Sequence, residues 1–184
     1  MSSPFRSKDN NSGNQAKVWY FAYGPDLNVE LMKKRIGSWQ LSKRALTRNY
    51  RLVFNRRKNS GTALKGSKPQ KKADSGEQNV LANLEETGRF EDIVHGVVYR
   101  ITPDQLAALQ KIEAIAPIEL KVELEDGNEI SHARAFVEKK SSEKTKEEGV
   151  PSKEYRHQMD EGFLEHGYDE SIPKAIFARF DSIH

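Results

Sequence analysis

The chain has 184 residues, 36% of them hydrophobic, enough for one domain with a core of its own. It has no cysteine, which excludes disulfides, zinc-thiolate sites and thiol catalysis and fits a reducing compartment. No apolar run is long enough to cross a membrane, and the formal net charge is only +3.

Residues 1–16 are polar, rich in Ser and Asn, and lack the apolar core of a secretion signal. They read as a disordered tail ahead of a single domain over 17–184, in a cytoplasmic protein. Val18 to Tyr23 is an apolar, aromatic run with the composition of a buried strand. It stops at Gly24-Pro25, and Leu27, Leu31 and Ile36 then recur at helical spacing among Lys33, Lys34 and Arg35. A buried strand therefore feeds a tight turn that opens a helix, and backbone N–H groups at such a junction can bind an anion. Gly37-Ser38 ends the helix.

Tyr50, Leu52 and Phe54 alternate with Arg51 and Val53 in a second strand, Arg48 to Phe54. Much of the positive excess follows, from Arg56-Arg57-Lys58 to Lys71-Lys72, with Gly61, Gly66, Pro69 and Gly76 interspersed. This reads as a basic mobile loop over 56–78. Contact with nucleic acid through it is disfavoured, because no aromatic side chain is interleaved to stack on bases. Gly61 to Lys68 nearly spells a P-loop, but its lysine comes one residue late and Pro69 stands where a helix must begin.

Val80 to Leu84 and Ile93 to Arg100 are further strands. Thr102-Pro103-Asp104-Gln105 then opens a helix, with Thr102 as N-cap, Pro103 at the first position and Gln105 completing a capping box. It runs to about Glu113, with Leu106, Leu109 and Ile112 marking its buried side. Ile118, Leu120, Val122 and Leu124 alternate with charged residues, Asp126-Gly127 turns the chain, and Ile130 to Val137 returns. After a charged run to Gly149, Ser152 caps a helix carrying Tyr155, Met159 and Phe163 on one face, and Gly167 ends it. Ser171 caps a last helix. This order lacks the alternation of a doubly wound sheet. It points to an α+β fold, a small mixed β-barrel or strongly curved sheet with flanking helices.

Glu113 is the most informative residue. At about 100° per residue it projects between Leu106 and Leu109, toward the core. A buried, unpaired carboxylate is costly and takes up a proton readily, and the negative end of the helix dipole adds to this. Such a group can exchange protons with a substrate. Three alternatives stay open: this one, fraying that turns Glu113 to solvent, or pairing with an arginine. The five histidines show no metal-ligand spacing, and His157 and His166 are expected on an exposed helix face. No nucleophile elbow or dinucleotide glycine pattern occurs.

Together these stretches resemble the γ-glutamyl cyclotransferase-like superfamily. Its aromatic strand ends in Tyr-Gly-Ser-Asn-Leu, matched here by Tyr23-Gly24-Pro25-Asp26-Leu27. Tyr50 to Phe54, Ala82-Asn83, Val94-His95-Gly96-Val97-Val98-Tyr99, Leu109 to Glu113 and Pro151-Ser152-Lys153-Glu154-Tyr155 follow in the family's order. The resemblance implies a barrel-like fold and a cavity for a small γ-glutamyl substrate. It implies release of 5-oxoproline, a place in glutathione metabolism, and no metal or other cofactor. It makes Glu113 the catalytic acid/base. Tyr23, Gly24, Pro25, Asp26 and Leu27 would hold the substrate's carboxylate or oxyanion through backbone N–H groups, and Tyr155 would line the pocket. A homodimer is left open, and no membrane contact is implied. Three departures stand out: Pro25 for serine, Asp26 for a neutral residue, and Ala114 with Ile118-Glu119 where glycine and tyrosine are usual. Asp26 has an ordinary alternative role, capping the helix that follows. The competing readings are a non-catalytic metabolite-binding relative and a module binding nucleic acid or an acidic partner through the basic loop.

Overall fold

Aromatic and β-branched residues at Val18–Ala22 form β1, the strand on which the barrel closes. The structure, a computed structural model, describes residues 16–57, 80–139 and 147–181. After β1 come a 3-10 turn (Pro25–Leu27), α1 (Val29–Ile36), β2 (Leu41–Arg48) and β3 (Tyr50–Arg57). Then follow β4 (Val80–Glu86), β5 (Ile93–Ile101), α2 (Pro103–Glu113), β6 (Ile118–Leu124) and β7 (Glu129–Ala135). The chain ends with α3 (Lys153–Glu165), α4 (Ser171–Phe177) and a 3-10 turn (Ala178–Phe180).

The strands β1-β5-β2-β6-β7 form a closed barrel, as the α+β expectation had it. Neighbours in it are antiparallel except at the closure, where Tyr20 meets Arg134 in parallel. Phe21, Val97, Val98 and Tyr99 from β1 and β5 are fully buried inside the core. The strands β3 and β4 form a separate two-stranded sheet. Phe54 anchors it against the ring of Tyr155 on α3 and against Phe177 and Phe180.

The caps follow local chemistry. Thr102 and Gln105 make the expected capping box. Ala114, at φ 56°, ends α2 in the left-handed conformation and bonds its N–H to the Gln110 carbonyl at 2.8 Å. Without glycine's freedom this residue carries about 1 kcal/mol of strain. Ser152 caps α3 as expected.

Several expectations need correction. β2 was not anticipated: its sequence is mostly polar, and pairing with β5 from Leu41↔Arg100 to Arg48↔Ile93 holds it. Arg56 and Arg57 lie on β3 rather than in the basic loop; residues 58–78, with the P-loop-like stretch, fall outside the described residues, as do 1–15 of the N-terminal tail. Ser171 does not cap α4; its N–H bonds Asp169 Oδ1 at 2.9 Å, and Glu170 occupies the cap position. Ile112 is 44% exposed, leaving Leu109 as the buried residue of α2. His157 is exposed, but His166 is partly buried, its Nε2 2.9 Å from the Tyr99 hydroxyl and 3.1 Å from the Leu27 carbonyl. Among the described residues no helix is long and apolar enough to cross a membrane.

Helix α3 presses on the turn after β1. A methyl at Gly162 would lie 2.4 Å from the Leu27 carbonyl carbon and 2.6 Å from the Asn28 nitrogen. The obstacle is the backbone of the turn, which has little room to yield. Gly162→Ala is therefore expected to destabilise by about 1–3 kcal/mol. At about 2–4 °C per kcal/mol for a chain of this size, thermal unfolding followed by circular dichroism reads the loss. An unchanged midpoint contradicts the packing.

Candidate active site

The turn after β1 is tied up internally. Leu27 N–H bonds the Gly24 carbonyl at 3.1 Å, Asn28 N–H bonds the Pro25 carbonyl at 2.9 Å, and Pro25 has no N–H to give. Asn28 caps α1, its side chain accepting from Leu31 N–H at 2.9 Å. The capping role considered for Asp26 is therefore filled by Asn28. Asp26 is 3% exposed and points inward. It accepts from the Tyr20 hydroxyl at 2.7 Å and from Arg35 Nη1 at 2.5 Å. Burial pushes its carboxyl above the usual range, Arg35 pulls it back, and the nearby Glu113 adds to the rise.

Glu113 closes the last turn of α2, where the Ala114 cap fixes its backbone. Its side chain is largely buried and is not alone. Arg35 Nη1 donates to Oε1 at 3.1 Å, and Arg56 Nη2 donates to Oε2 at 2.9 Å. Arg56 Nη2 also lies 3.3 Å from the Glu113 carbonyl oxygen. Of the three alternatives left open by the sequence, pairing with arginine is what the structure has, and twice over. One nitrogen of Arg35 thus bridges Asp26 and Glu113, and two carboxylates face two guanidinium groups. Burial disfavours the charge on each arginine, but the carboxylates outweigh it and raise both guanidinium pKa values.

A cavity of about 450 Å³ opens over this cluster, lined by Tyr23, Gly24, Pro25, Asp26, Glu113 and Tyr155 among others. The structure therefore brings together the candidate catalytic and substrate-binding residues except Leu27, which is fully buried behind the turn. Tyr155 accepts from the Ala82 N–H at 2.9 Å, and a methyl at Gly24 would lie 3.4 Å from its hydroxyl. The Tyr23 hydroxyl donates to the Phe136 carbonyl. Burial pushes both phenols well above their ordinary range, so both stay protonated as donors. Among the described residues no group of three or more His, Asp or Glu is placed to hold a metal ion.

Sequence reasoning missed Arg35 and Arg56. Arg35 is one helical turn after Leu31, another lining residue, and that spacing was available. Arg56 continues the alternation of Leu52 and Phe54 by one more step. The register of β3 on β4 slips between Phe54 and Arg56, and such bulges re-aim side chains beside functional sites.

No protein-family model matches the sequence, and no curated protein matches it. Solved structures do. An uncharacterized protein from Homo sapiens has a TM-score of 0.68 at 23% identity over 88% of this chain and 87% of that one. A gamma-glutamyl cyclotransferase has a TM-score of 0.66 at 23% identity over the same shares of the two chains. A yeast gamma-glutamyl cyclotransferase specific to glutathione has a TM-score of 0.55 at 12% identity over 93% of this chain and 99% of its own. With its closed mixed barrel and flanking helices, the chain has the γ-glutamyl cyclotransferase-like fold.

Proposed function

We propose that the protein is a γ-glutamyl cyclotransferase-like enzyme, cyclising a γ-glutamyl conjugate by intramolecular aminolysis. One observation carries the reading: Glu113, the Gly24–Asp26 turn and Tyr155 line a single cavity. The substrate's α-ammonium gives a proton to Glu113. The freed amine attacks the γ-carbonyl carbon, forming the C–N bond of a five-membered ring. Collapse breaks the bond to the leaving nitrogen, which takes the first proton back from Glu113; Glu113 then removes the second proton from the ring nitrogen and passes it on, so the leaving amine departs as an ammonium. The products are 5-oxoproline and a free amine or amino acid, with no water consumed. Ring closure is intramolecular, so the cavity's main task is orientation. Gly24 and Asp26 supply the turn's other N–H groups for the oxyanion, and Tyr155 supplies an O–H donor.

A second reading, a metabolite-binding relative without turnover, is favoured by one feature. Glu113 is held by two guanidinium groups, so each of its carboxylate oxygens already has a partner.

The discriminating assay is release of 5-oxoproline from a panel of γ-glutamyl compounds. Glu113→Gln keeps the shape and removes the proton acceptor, and should lower the rate about 100-fold or more. Full activity in that variant rejects the mechanism; saturable binding by the native chain without release supports the second reading. The buried Asp26 gives an independent check on the site's electrostatics. Its carboxyl is raised above 3.8, so its protonation stabilises the fold below that value, and the contribution fades as pH rises through the raised pKa. Asp26→Asn cannot titrate. Urea unfolding at a series of pH values should show wild type gaining on Asp26→Asn as pH falls from neutral into the acid range. A gap that moves the other way overturns the assignment.

A further inference from the structure

A γ-glutamyl group offers three features to a protein: an ammonium, a carboxylate on the same carbon, and the γ-carbonyl. Glu113 suits the ammonium. The carboxylate needs a cation or a set of N–H donors, and the turn is poorly supplied. Pro25 has no N–H, and Leu27 N–H is already bonded to the Gly24 carbonyl. The Asp26 carboxyl buried in the turn adds negative charge of its own, to the extent it is ionised.

Two cations line the cavity beside Glu113, and they are not equivalent. Arg35 is committed: its Nη1 is shared between Asp26 at 2.5 Å and Glu113 at 3.1 Å. Arg56 pairs with one carboxylate, Glu113, where Arg35 pairs with two, and its guanidinium also neighbours the Tyr23 hydroxyl. A guanidinium carries five N–H donors in a fixed fork matched to a carboxylate. Arg56 is 7% exposed and lines the cavity with Tyr23 and Tyr155, so a ligand carboxylate meeting it does so largely out of water.

We infer that Arg56 is the specificity residue of this cavity, pairing with the carboxylate that neighbours the ligand's ammonium. The inference rests on the γ-glutamyl reading for the ligand class. It has a mechanical consequence. When Arg56 turns to the ligand, Glu113 loses one of its two guanidinium partners and its Oε2 is freed to meet the ligand's ammonium. A substrate without the carboxylate leaves Glu113 clamped, so it suffers in kcat as well as in KM.

The test uses the full chain and two rings that differ only in the carboxylate: 5-oxoproline and 2-pyrrolidinone. Calorimetric titration at millimolar ligand should show 5-oxoproline binding the wild type about 10- to 100-fold more tightly, the range of a charge-assisted pair. In Arg56→Met that difference should vanish. Arg56→Lys, which keeps the charge without the fork, should restore part of it. The wild-type comparison needs no variant to fold, and thermal melts check the variants. Equal binding of the two rings to wild type overturns the inference. So does an absence of 5-oxoproline binding, or a difference that survives in a folded Arg56→Met. The two claims fail separately. A wild type that shows the difference but releases no 5-oxoproline from γ-glutamyl compounds keeps Arg56 and loses the cyclisation. A wild type that cyclises, with the difference intact in Arg56→Met, keeps the reaction and loses Arg56.

Discussion

A carboxylate at the end of one helix is held between two guanidinium groups from two other elements. Arg35 reaches Glu113 from α1, and Arg56 reaches it from β3. Asp26 then holds Arg35 from the turn, so four charges balance in a place largely closed to water. Taking ions out of water costs several kcal/mol each, and only good geometry offsets it. Removing one member of such a cluster leaves an uncompensated charge, typically a loss of about 3–5 kcal/mol. The cluster thus ties α1, α2, β3 and the turn to one point, and the cavity opens over that point.

The rest of the fold keeps the turn still. Gly162 lets α3 approach its backbone, and the Glu165 carboxylate accepts from Val29 N–H at 2.8 Å. The Tyr99 hydroxyl reaches the Asp26 carbonyl at 3.1 Å from inside the barrel. A turn built this way has its own amides engaged, and it presents shape and a few donors to the cavity in place of a generous anion nest.

The fold by itself does not carry an activity, since one architecture hosts many functions. What bears on chemistry is a carboxylate held by two guanidinium groups at the edge of a polar cavity. Both oxygens of that carboxylate already have a guanidinium partner. In the mechanism proposed above, recognition and proton transfer are two uses of one set of contacts.

Local chemistry made much of this protein legible before any coordinates. The aromatic composition of β1, the capping box at Thr102 and Gln105, the Asp126-Gly127 hairpin and the Ser152 cap each need only a few neighbouring residues, and each stands in the structure. The helical phase of Glu113 projected it inward, with fraying toward solvent still open, and the resemblance joined it to the Tyr23–Leu27 stretch. The sequence alone left open what meets it there. Arg35 and Arg56 lie 78 and 57 residues from Glu113 along the chain. On their own elements they read as a charge on a solvated helix and the start of a basic loop. β2 was hidden for the same reason, its polar sequence becoming a strand only because β5 lies beside it. Propensity, capping and alternation are local and can be read along the chain. Which charges share a buried space depends on how the barrel closes, and only the tertiary structure decided that.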